Sequence, residues 1–472
     1  MNLNQISLPK ISFKIGCIAC CLLIIHCAER TACIPASSSH TTTSCRHAVP
    51  AKKHKVTLHL DSAPAASSTL SGTVCNSAAD TSAAPMYDLF PIPRNYIRIA
   101  IKRNITEATV SSAHSLYVSF NATVFEAGQM LTIVQTTSPG IVNITGSSGV
   151  PFGCALPCTL ITGSPEASIR YAGTPYRGKL VLESEKRGCF SVINYANVED
   201  YLCGVVPLEI GTSRPEDIEA AKAQAVAART YTYKRMLANG NKVFDMLPTV
   251  ADQVYGGMKA ENAVCCRAVM ATEHAVMLYG DSLITAYYYS TCGGTTANIE
   301  NVWPKSAQPY LQSVDDHNDS GTAYCAASRY YTWRDTWSIA QLSDIVNKNS
   351  KTVFPGNPAS GTIESIDILS RFTCGRVASC RIKTSTGSYV YGGDNLRFVF
   401  KRSHGVPPIL RSSNIGDVRI DGDSVIMTGI GYGHGVGMCQ CGALGRARAG
   451  QTFEQILKAY YTGVELRTVS AE

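Results

Sequence analysis

Apolar and polar residues alternate over several short stretches in the first half of the chain, which is the pattern of half-buried β-strands. These stretches are separated by Gly, Asn and Ser-Pro turns and lie at residues 96–102, 115–120, 130–134 and 141–144. Two further stretches follow at residues 176–183 and 189–194. The pattern predicts a small β-rich module over residues 96–170, with β-structure continuing into the next domain.

A helix is predicted after these strands, because start and stop signals flank an alanine-rich segment. Ser213-Arg-Pro-Glu216 offers a capping box with proline in the first turn, and Asn239-Gly240 offers the stop. The alanines fall on every side of such a helix: Ala220, Ala221, Ala223, Ala225, Ala227 and Ala228. We therefore predict a buried scaffold helix. Its polar exceptions, Gln224 and Arg229, are either structural hydrogen-bonding residues or substrate contacts.

The predicted fold class is α+β, with a mixed, β-rich core around the alanine-rich buried helix. Lys10 and Lys14 precede an apolar segment at residues 15–25, which has the length of a signal-peptide core and is short for a membrane span. The next residues are rich in Ser, Thr, Ala and Pro and predict a disordered spacer. The expected domains are a signal peptide or membrane anchor (1–28), the spacer (29–95), the small N-terminal β module (96–170) and a main domain (171–467).

Composition narrows the possible functions. The chain has 472 residues, of which 45% are hydrophobic, enough for a real core. Its net charge is +7 and its Lys and Arg residues are scattered, a pattern too weak to indicate nucleic acid. The charge suits either an anionic polymer or an ordinary solvated surface. We expect an exported protein of the periplasm or cell envelope, with the N-terminal segment as its membrane contact or anchor.

Cysteine content fits export. The chain has 19 cysteines, five of them between Cys17 and Cys33, which leaves 14 from Cys45 onward. An even set in an exported protein favours disulfides. Close spacings, which disulfides, buried free thiols or metal sites could each explain, occur at Cys154 to Cys158, Cys374 to Cys380 and Cys439 to Cys441.

One carboxyl group stands out in the segment Val205-Val-Pro-Leu-Glu209, beside a proline turn and just ahead of the predicted helix. Its apolar neighbours would raise the pKa of Glu209 and keep it protonated as a general acid. The alternative is an exposed residue at the start of the helix.

A glycine ladder, Gly429-Ile-Gly-Tyr-Gly-His-Gly-Val-Gly437, is the second unusual segment. It matches neither the dinucleotide fingerprint nor the phosphate loop. Glycine at alternate positions weakens a strand, so a ligand or another backbone must approach closely. We favour a cleft floor from which Tyr432 and His434 project, over a tightly packed strand with a buried His434.

The chain resembles the SpoIID/LytB family of cell-wall proteins over roughly residues 96–467. The central motifs are Tyr201-Leu-x-Gly-Val-Val-Pro-x-Glu209, Pro215-Glu216 and Ala221-Lys-Ala-Gln-Ala-Val-Ala-Ala-Arg-Thr-Tyr231. Further matches are Asp252-Gln-Val-Tyr-Gly-Gly257, Cys292-Gly-Gly-Thr-Thr296, Val302-Trp303, Pro309-Tyr-Leu311, the ladder up to Met438-x-Gln440, Gly442-Ala443, Ile456-Leu457 and Tyr460-Tyr461-x-Gly463. The order of these motifs makes chance agreement implausible and marks residues 171–467 as the catalytic domain.

The resemblance implies a lytic transglycosylase that cleaves peptidoglycan glycan strands in cell division or envelope remodelling. Glu209 would be its single acid and base, and His434 its second catalytic residue. We expect these two residues to face one groove, within about a sugar's width. The substrate contacts expected with them are Tyr201, Gln224, Arg229, Tyr432, Gly433, Gly435 and Gln440.

A rival function and a metal are also implied by the resemblance. LytB-type relatives are amidase enhancers, which bind the wall and stimulate a separate hydrolase, so a cell-wall amidase or the division machinery is an expected partner. No organic cofactor is expected, but some relatives hold zinc near the segment that matches Ser290–Gly294 here. In this chain Cys292, Cys325 and His317 are the candidate ligands of a structural zinc. Tyr289 stands where a histidine is common, and Cys439-Gln-Cys-Gly442 replaces a Ser-Gln-Tyr-Gly string.

Overall fold

The computed structural model describes residues 89–92, 94–118, 123–402 and 408–471. The predicted signal peptide or anchor and nearly all of the predicted spacer lie outside these described residues. The described chain is a mixture of α and β structure with many short strands and few helices, which confirms the predicted mixture. Within it, no helix has the length and apolar character needed to cross a membrane.

Strands make up the first part of the described chain. In chain order they are β1 (Leu89–Ile92), β2 (Tyr96–Ile105), β3 (Glu107–Ser111), β4 (Leu116–Val118), β5 (Thr123–Phe125), β6 (Met130–Gln135), β7 (Ile141–Thr145), β8 (Pro151–Ala155), β9 (Cys158–Thr162), β10 (Ile169–Tyr171), β11 (Thr174–Tyr176), β12 (Lys179–Glu185) and β13 (Cys189–Asn197). The prediction of a single strand at 176–183 is wrong. It divides into β11 and β12, because Gly178 turns the chain between them at a φ of +76°.

Two sheets of this region share one hydrophobic core. One sheet has the strand order β11-β10-β3-β6-β7-β8 and the other β2-β13-β12-β9-β4-β5. Alternate apolar residues of both sheets form the core, among them Val110, Leu131, Ile133, Val142, Leu160, Leu182 and Val192. Strands from both sides of the predicted boundary at residue 170 pair here, as β2 does with β13. The boundary itself stays a prediction.

The next part of the chain contains four helices and three short strands. The elements are α1 (Val198–Cys203), α2 (Val206–Ile210), α3 (Ile218–Ala238), α4 (Ala263–Ala271), β14 (Ala275–Tyr279), β15 (Ser282–Leu283) and β16 (Tyr288–Tyr289). Short 3₁₀ turns occur at Pro215–Asp217, Gly257–Ala260 and Ile299–Asn301.

Helix α3 is the predicted alanine-rich helix, and its residues 220–233 are largely buried. All six alanines named in the sequence are 0% exposed, so the prediction of a scaffold helix is confirmed. The predicted capping box is wrong, because the first turn is a 3₁₀ turn without a side-chain cap. Instead, the Thr212 hydroxyl donates to Asp217 at 2.6 Å and accepts from the Arg214 amide at 3.1 Å.

A third part of the chain has its own core, which the sequence analysis did not separate. Its elements are β17 (Thr332–Ser338), α5 (Ile339–Val353), β18 (Ile363–Arg371), β19 (Val377–Thr384), β20 (Gly387–Tyr391), a 3₁₀ turn (Gly393–Asn395), α6 (Leu396–Val399), β21 (Ile415–Asp421) and β22 (Ser424–Ile430). Two small sheets, β17-β22-β21 and β18-β19-β20, enclose residues such as Trp337, Leu342, Val377, Ile382 and Phe400.

The chain then returns to the helical part through β23 (Met438–Cys439), α7 (Gln440–Arg448), α8 (Phe453–Tyr460) and β24 (Glu465–Ala471). Strand β23 pairs in parallel with β16, and β24 lies between β1 and β14. Helix α7 packs against both α3 and α2. This packing brings the end of the glycine ladder beside Glu209.

Candidate functional site

Glu209 lies in a short helix rather than in the proline turn that the sequence predicted. Helix α2 carries Pro207 in its first turn, and it ends at Gly211, whose φ of 68° is left-handed. Glu209 is half-buried. Its neighbour Leu208 is 45% exposed, so this side of α2 faces solvent.

Two neutral donors hold the Glu209 carboxyl group. The Val254 amide donates to Oε1 at 2.8 Å, and Gln440 Nε2 donates to Oε2 at 3.3 Å. Gln440 Nε2 also lies 3.4 Å from Gln224 Oε1. The structure therefore brings together three of the predicted site residues: Glu209, Gln224 and Gln440.

The protonation of Glu209 follows from this setting. Burial raises the pKa of Glu209, while the hydrogen bonds from Val254 and Gln440 offset part of that rise. In the described part of the chain, no ion pair joins Glu209 to a cationic side chain. The carboxyl group therefore keeps its proton to a higher pH than an exposed glutamate, as a general acid requires.

Two buried polar atoms next to this group lack a hydrogen bond of normal geometry within the described chain, Gln224 Nε2 and the Tyr288 hydroxyl. Burial, and then the charge of Glu209, raises the pKa of Tyr288 well above its usual value. Both atoms are donors, so they can bind an oxygen of a polar ligand.

Tyr201 is buried near the Glu209 carboxyl group and hydrogen-bonds to protein. It is 0% exposed, and its hydroxyl donates to Gln253 Oε1 at 3.0 Å. Gln253 also donates to the carbonyl of Ala228 in α3 at 3.1 Å. These bonds fix α1 and α3 beneath the site, and substrate contact by Tyr201 stays a prediction.

The glycine ladder is an irregular segment between β22 and β23. Gly431, Gly433, Gly435 and Gly437 all have positive φ, from +76° to +113°. Any Cβ would collide with the protein: at Gly433 with Tyr289 at 2.8 Å, and at Gly435 with Arg376 Nε at 2.5 Å. The explanation of the glycines as a floor bared for ligand is wrong, because protein groups occupy that space. Substrate contact by Gly433 and Gly435 stays a prediction.

His434 is held as a neutral ring. Its Nδ1 accepts from the Val436 amide and its Nε2 lies against the Tyr288 carbonyl, each at 3.1 Å. Burial, together with the charges of Arg397 and Arg376, lowers the pKa of His434 to about 3.

Aromatic rings surround His434 as well. Its centroid lies 4.9 Å from that of Trp303 and 5.2 Å from that of Tyr289. Gln440, three residues after the ladder, donates to Glu209, while the Tyr288 carbonyl lies against the His434 ring. A catalytic role for His434 stays a prediction.

Tyr432 and Arg229 make their contacts elsewhere. Tyr432 packs on Tyr330 with ring centroids 4.7 Å apart. The Arg229 guanidinium is fully buried and binds both carboxylate oxygens of Glu199, at 2.8 and 2.6 Å, and two backbone carbonyls. The structure does not join either side chain to the Glu209 group, and their role in substrate binding stays a prediction.

A second cluster, which we call the thiol cluster, consists of Cys292, Asp316, Cys325 and Cys439. All four are buried, and their potential ligand atoms lie within 4.8 Å of one another. Cys292 Sγ is 3.4 Å from Cys325 Sγ and 3.1 Å from Asp316 Oδ2. The predicted ligand His317 is absent from this cluster, and its Nδ1 lies 2.5 Å from Asp315 Oδ1 instead.

Sequence reasoning missed several of these residues for an identifiable reason. Cys439 stands where relatives carry serine, but nothing in the chain order ties it to Cys292. Asp316 directly precedes His317 in the same loop, and the role of His317 as a metal ligand stays a prediction. Tyr288 and Val254 act through a hydroxyl and a backbone amide, which leave no motif of their own.

The family profile for the Stage II sporulation protein, SpoIID, matches residues 186–279, which run from β13 to β14 and include Glu209. A profile of a domain of unknown function, DUF8618, matches residues 321–437. This second match covers the part of the fold that has its own core.

Three relatives each match a little over half of this chain. An uncharacterized protein of Brachyspira hyodysenteriae is 34% identical over 283 residues, which is 58% of this chain and 68% of that protein. The amidase enhancer of Bacillus subtilis is 35% identical over 302 residues, 56% of this chain and 40% of the relative. Stage II sporulation protein D of B. subtilis is 29% identical over 293 residues, 58% of this chain and 75% of the relative.

The segment that contains α2, Glu209 and α3 thus belongs to a SpoIID-type domain. The chain belongs to the SpoIID/LytB family. It matches well under half of the length of the amidase enhancer.

Proposed function

We propose that this protein is exported and cleaves peptidoglycan glycan strands as a lytic transglycosylase, with Glu209 as acid and base. One observation carries the proposal: the half-buried Glu209 carboxyl has a raised pKa and is held by two neutral donors. Relatives named stage II sporulation protein D and amidase enhancer support a role at the cell wall.

A single carboxyl suffices for this reaction. Glu209 gives its proton to the glycosidic oxygen that leaves with N-acetylglucosamine as the bond to C1 of N-acetylmuramic acid breaks. The carboxylate then takes the proton of the muramic acid 6-hydroxyl while that oxygen bonds to C1 and closes an anhydro ring. A hydrolase would usually need a second carboxyl to activate water.

The neighbouring donors suit the two states of Glu209. Gln440 and the Val254 amide stabilise the carboxylate formed after the first proton transfer. Gln224 Nε2 and the Tyr288 hydroxyl, which are buried donors without a hydrogen bond of normal geometry in the described chain, would bind sugar oxygens beside it.

Purified full-length protein tests the proposal with glycan strands stripped of stem peptides. Wild type should release products with anhydro-muramyl ends, detected by mass spectrometry, and Glu209→Gln should be slower by about 100-fold or more. Glu166→Gln, which changes an exposed glutamate, is the matched control and should keep full activity. Equal release by wild type and Glu209→Gln would contradict the role of Glu209.

The amidase enhancer relative provides the alternative, a protein that binds the wall without cutting it. Wild type would then release no anhydro products, yet would sediment with cell walls and stimulate an added amidase. That result would replace the transglycosylase proposal.

A further inference from the structure

We infer that the thiol cluster is a tetrahedral metal site for a thiolate-preferring divalent cation, zinc first, bound by Cys292, Cys325, Cys439 and Asp316. Its ligands differ from those expected from the sequence, because Cys439 and Asp316 take the place of His317. It also stands apart from the proposed reaction at Glu209.

The spacing of the four side chains fits one ion. Zinc–sulfur bonds of about 2.3 Å in a tetrahedron place ligand atoms about 3.8 Å apart. The distances of 3.4 Å between the Cys292 and Cys325 sulfurs, and 3.1 Å from Cys292 Sγ to Asp316 Oδ2, need only a small expansion. Three sulfurs and one carboxylate oxygen form a donor set typical of zinc rather than of magnesium or calcium.

Backbone amides already point at the sulfurs, as they do around metal-bound thiolates. Cys439 Sγ accepts from the Cys292 amide at 3.1 Å and from the Gly442 amide at 3.2 Å. Cys292 Sγ accepts from the Gly294 amide at 3.2 Å. Such donors favour the charged form of sulfur that a metal ligand must adopt.

The carboxylate ligand is oriented from behind. Asp316 Oδ1 accepts from Arg446 Nε at 2.9 Å and from the Tyr460 hydroxyl at 2.8 Å, which leaves Oδ2 facing Cys292. Arg446 also supplies positive charge next to a group of anionic ligands. These two hydrogen bonds from Arg446 and Tyr460 fix the direction of the ligand oxygen.

A disulfide explains the cluster less well than a metal. Pairing of Cys292 with Cys325 would leave Cys439 as a buried thiol that faces a disulfide and a carboxylate. Because three cysteines cannot all be paired with one another, only a shared ion satisfies all four side chains at once.

The ion would connect separate segments at the base of the site. Cys292 follows β16, Asp316 and Cys325 lie in the loop before β17, and Cys439 belongs to β23. Cys439 directly precedes Gln440, which donates to Glu209. The metal would therefore hold the start of α7, and with it Gln440, in place.

Metal content of the full-length protein tests the inference without any activity measurement. Protein purified in the absence of chelators should carry one zinc per chain by plasma mass spectrometry, and Co²⁺ exchange should produce the strong near-ultraviolet absorption of cobalt bound to thiolates. Cys439→Ser and Asp316→Asn should each lower bound metal by about tenfold or more. His317→Ala and Cys380→Ser should retain it, since Cys380 is an equally buried cysteine in another core.

If a cluster variant fails to fold, the cobalt spectrum of the wild type still shows whether thiolates bind a metal. Wild type that binds no stoichiometric zinc or cobalt after reduction would overturn the inference. A Cys292–Cys325 disulfide found by mass mapping of protein purified without reductant would do the same. Retention of metal by Cys439→Ser or its loss from His317→Ala would overturn the ligand set.

Discussion

Gln440 Nε2 donates to Oε2 of Glu209 at 3.3 Å, although the two residues are 231 positions apart in the chain. The contact exists because β23 pairs with β16 and places the first residue of α7 against α2. Gln440 is 8% exposed, so its amide cannot turn freely into solvent. The segment that follows the glycine ladder thus places this amide on the carboxyl group.

Gln440→Ala should lower the rate of glycan cleavage about 10- to 100-fold while the protein stays folded, because the carboxyl loses its orienting donor. The measurement is kcat/KM on peptide-free glycan strands, with thermal unfolding as the check on folding. Gln312→Ala, which removes an amide that donates to Gln308, is the control and should keep its rate. An unchanged rate in Gln440→Ala would show that the contact is incidental.

The pH dependence of cleavage should reveal the protonation of Glu209. Because the first step needs the protonated acid, kcat/KM of the wild type should fall as pH rises through the raised pKa of Glu209. Gln440 holds that pKa down, so Gln440→Ala should shift the falling limb to higher pH. A shift to lower pH, or none, would contradict the assignment of the limb to Glu209.

Stability should depend on the same group. A carboxyl whose pKa is raised on folding contributes stability that is fully present below its unfolded pKa and is lost as pH rises through its folded pKa. Glu209→Gln removes the cost of a half-buried carboxylate, so its melting temperature should exceed that of wild type at pH 7. The difference should vanish below about pH 4. A less stable Glu209→Gln at pH 7 would show that the ionised form is the favoured one.

Arg229→Ala should destabilise the fold rather than weaken substrate binding. It leaves the Glu199 carboxylate and two carbonyls without their partner, at a cost of about 3–5 kcal/mol. Denaturant unfolding measures this cost, and Arg329→Ala, an exposed arginine, is the control. A stable Arg229→Ala with a raised KM would instead support the predicted substrate contact.

The features that could be predicted from the sequence are those carried by residues close together in the chain. Alternation identified strands such as β2 and β6, and the alanines of α3 predicted its burial, because neighbouring residues carry both patterns. The thiol cluster could not be found this way, since Asp316 and Cys439 meet only through tertiary packing. The ladder shows the same limit. Its glycines signalled a close approach, but the approaching groups, Tyr289 and Arg376, belong to distant segments.

Gly435→Ala should destabilise the fold for two separable reasons. The added Cβ would lie 2.5 Å from Arg376 Nε, and the backbone has a φ of +96°. Gly450 is the matched control: its φ is +84°, but a Cβ there meets nothing within 4 Å. Gly450→Ala should therefore report backbone strain alone, about 1 kcal/mol.

The difference between the two variants measures the collision with Arg376. We expect Gly435→Ala to lose about 2 kcal/mol more than Gly450→Ala, because a buried guanidinium in a well-packed site has little room to move. Denaturant unfolding of both variants under identical conditions provides the comparison. Equal losses would mean that Arg376 yields without cost, and that positive φ alone, rather than the packing of protein around the ladder, requires glycine at position 435.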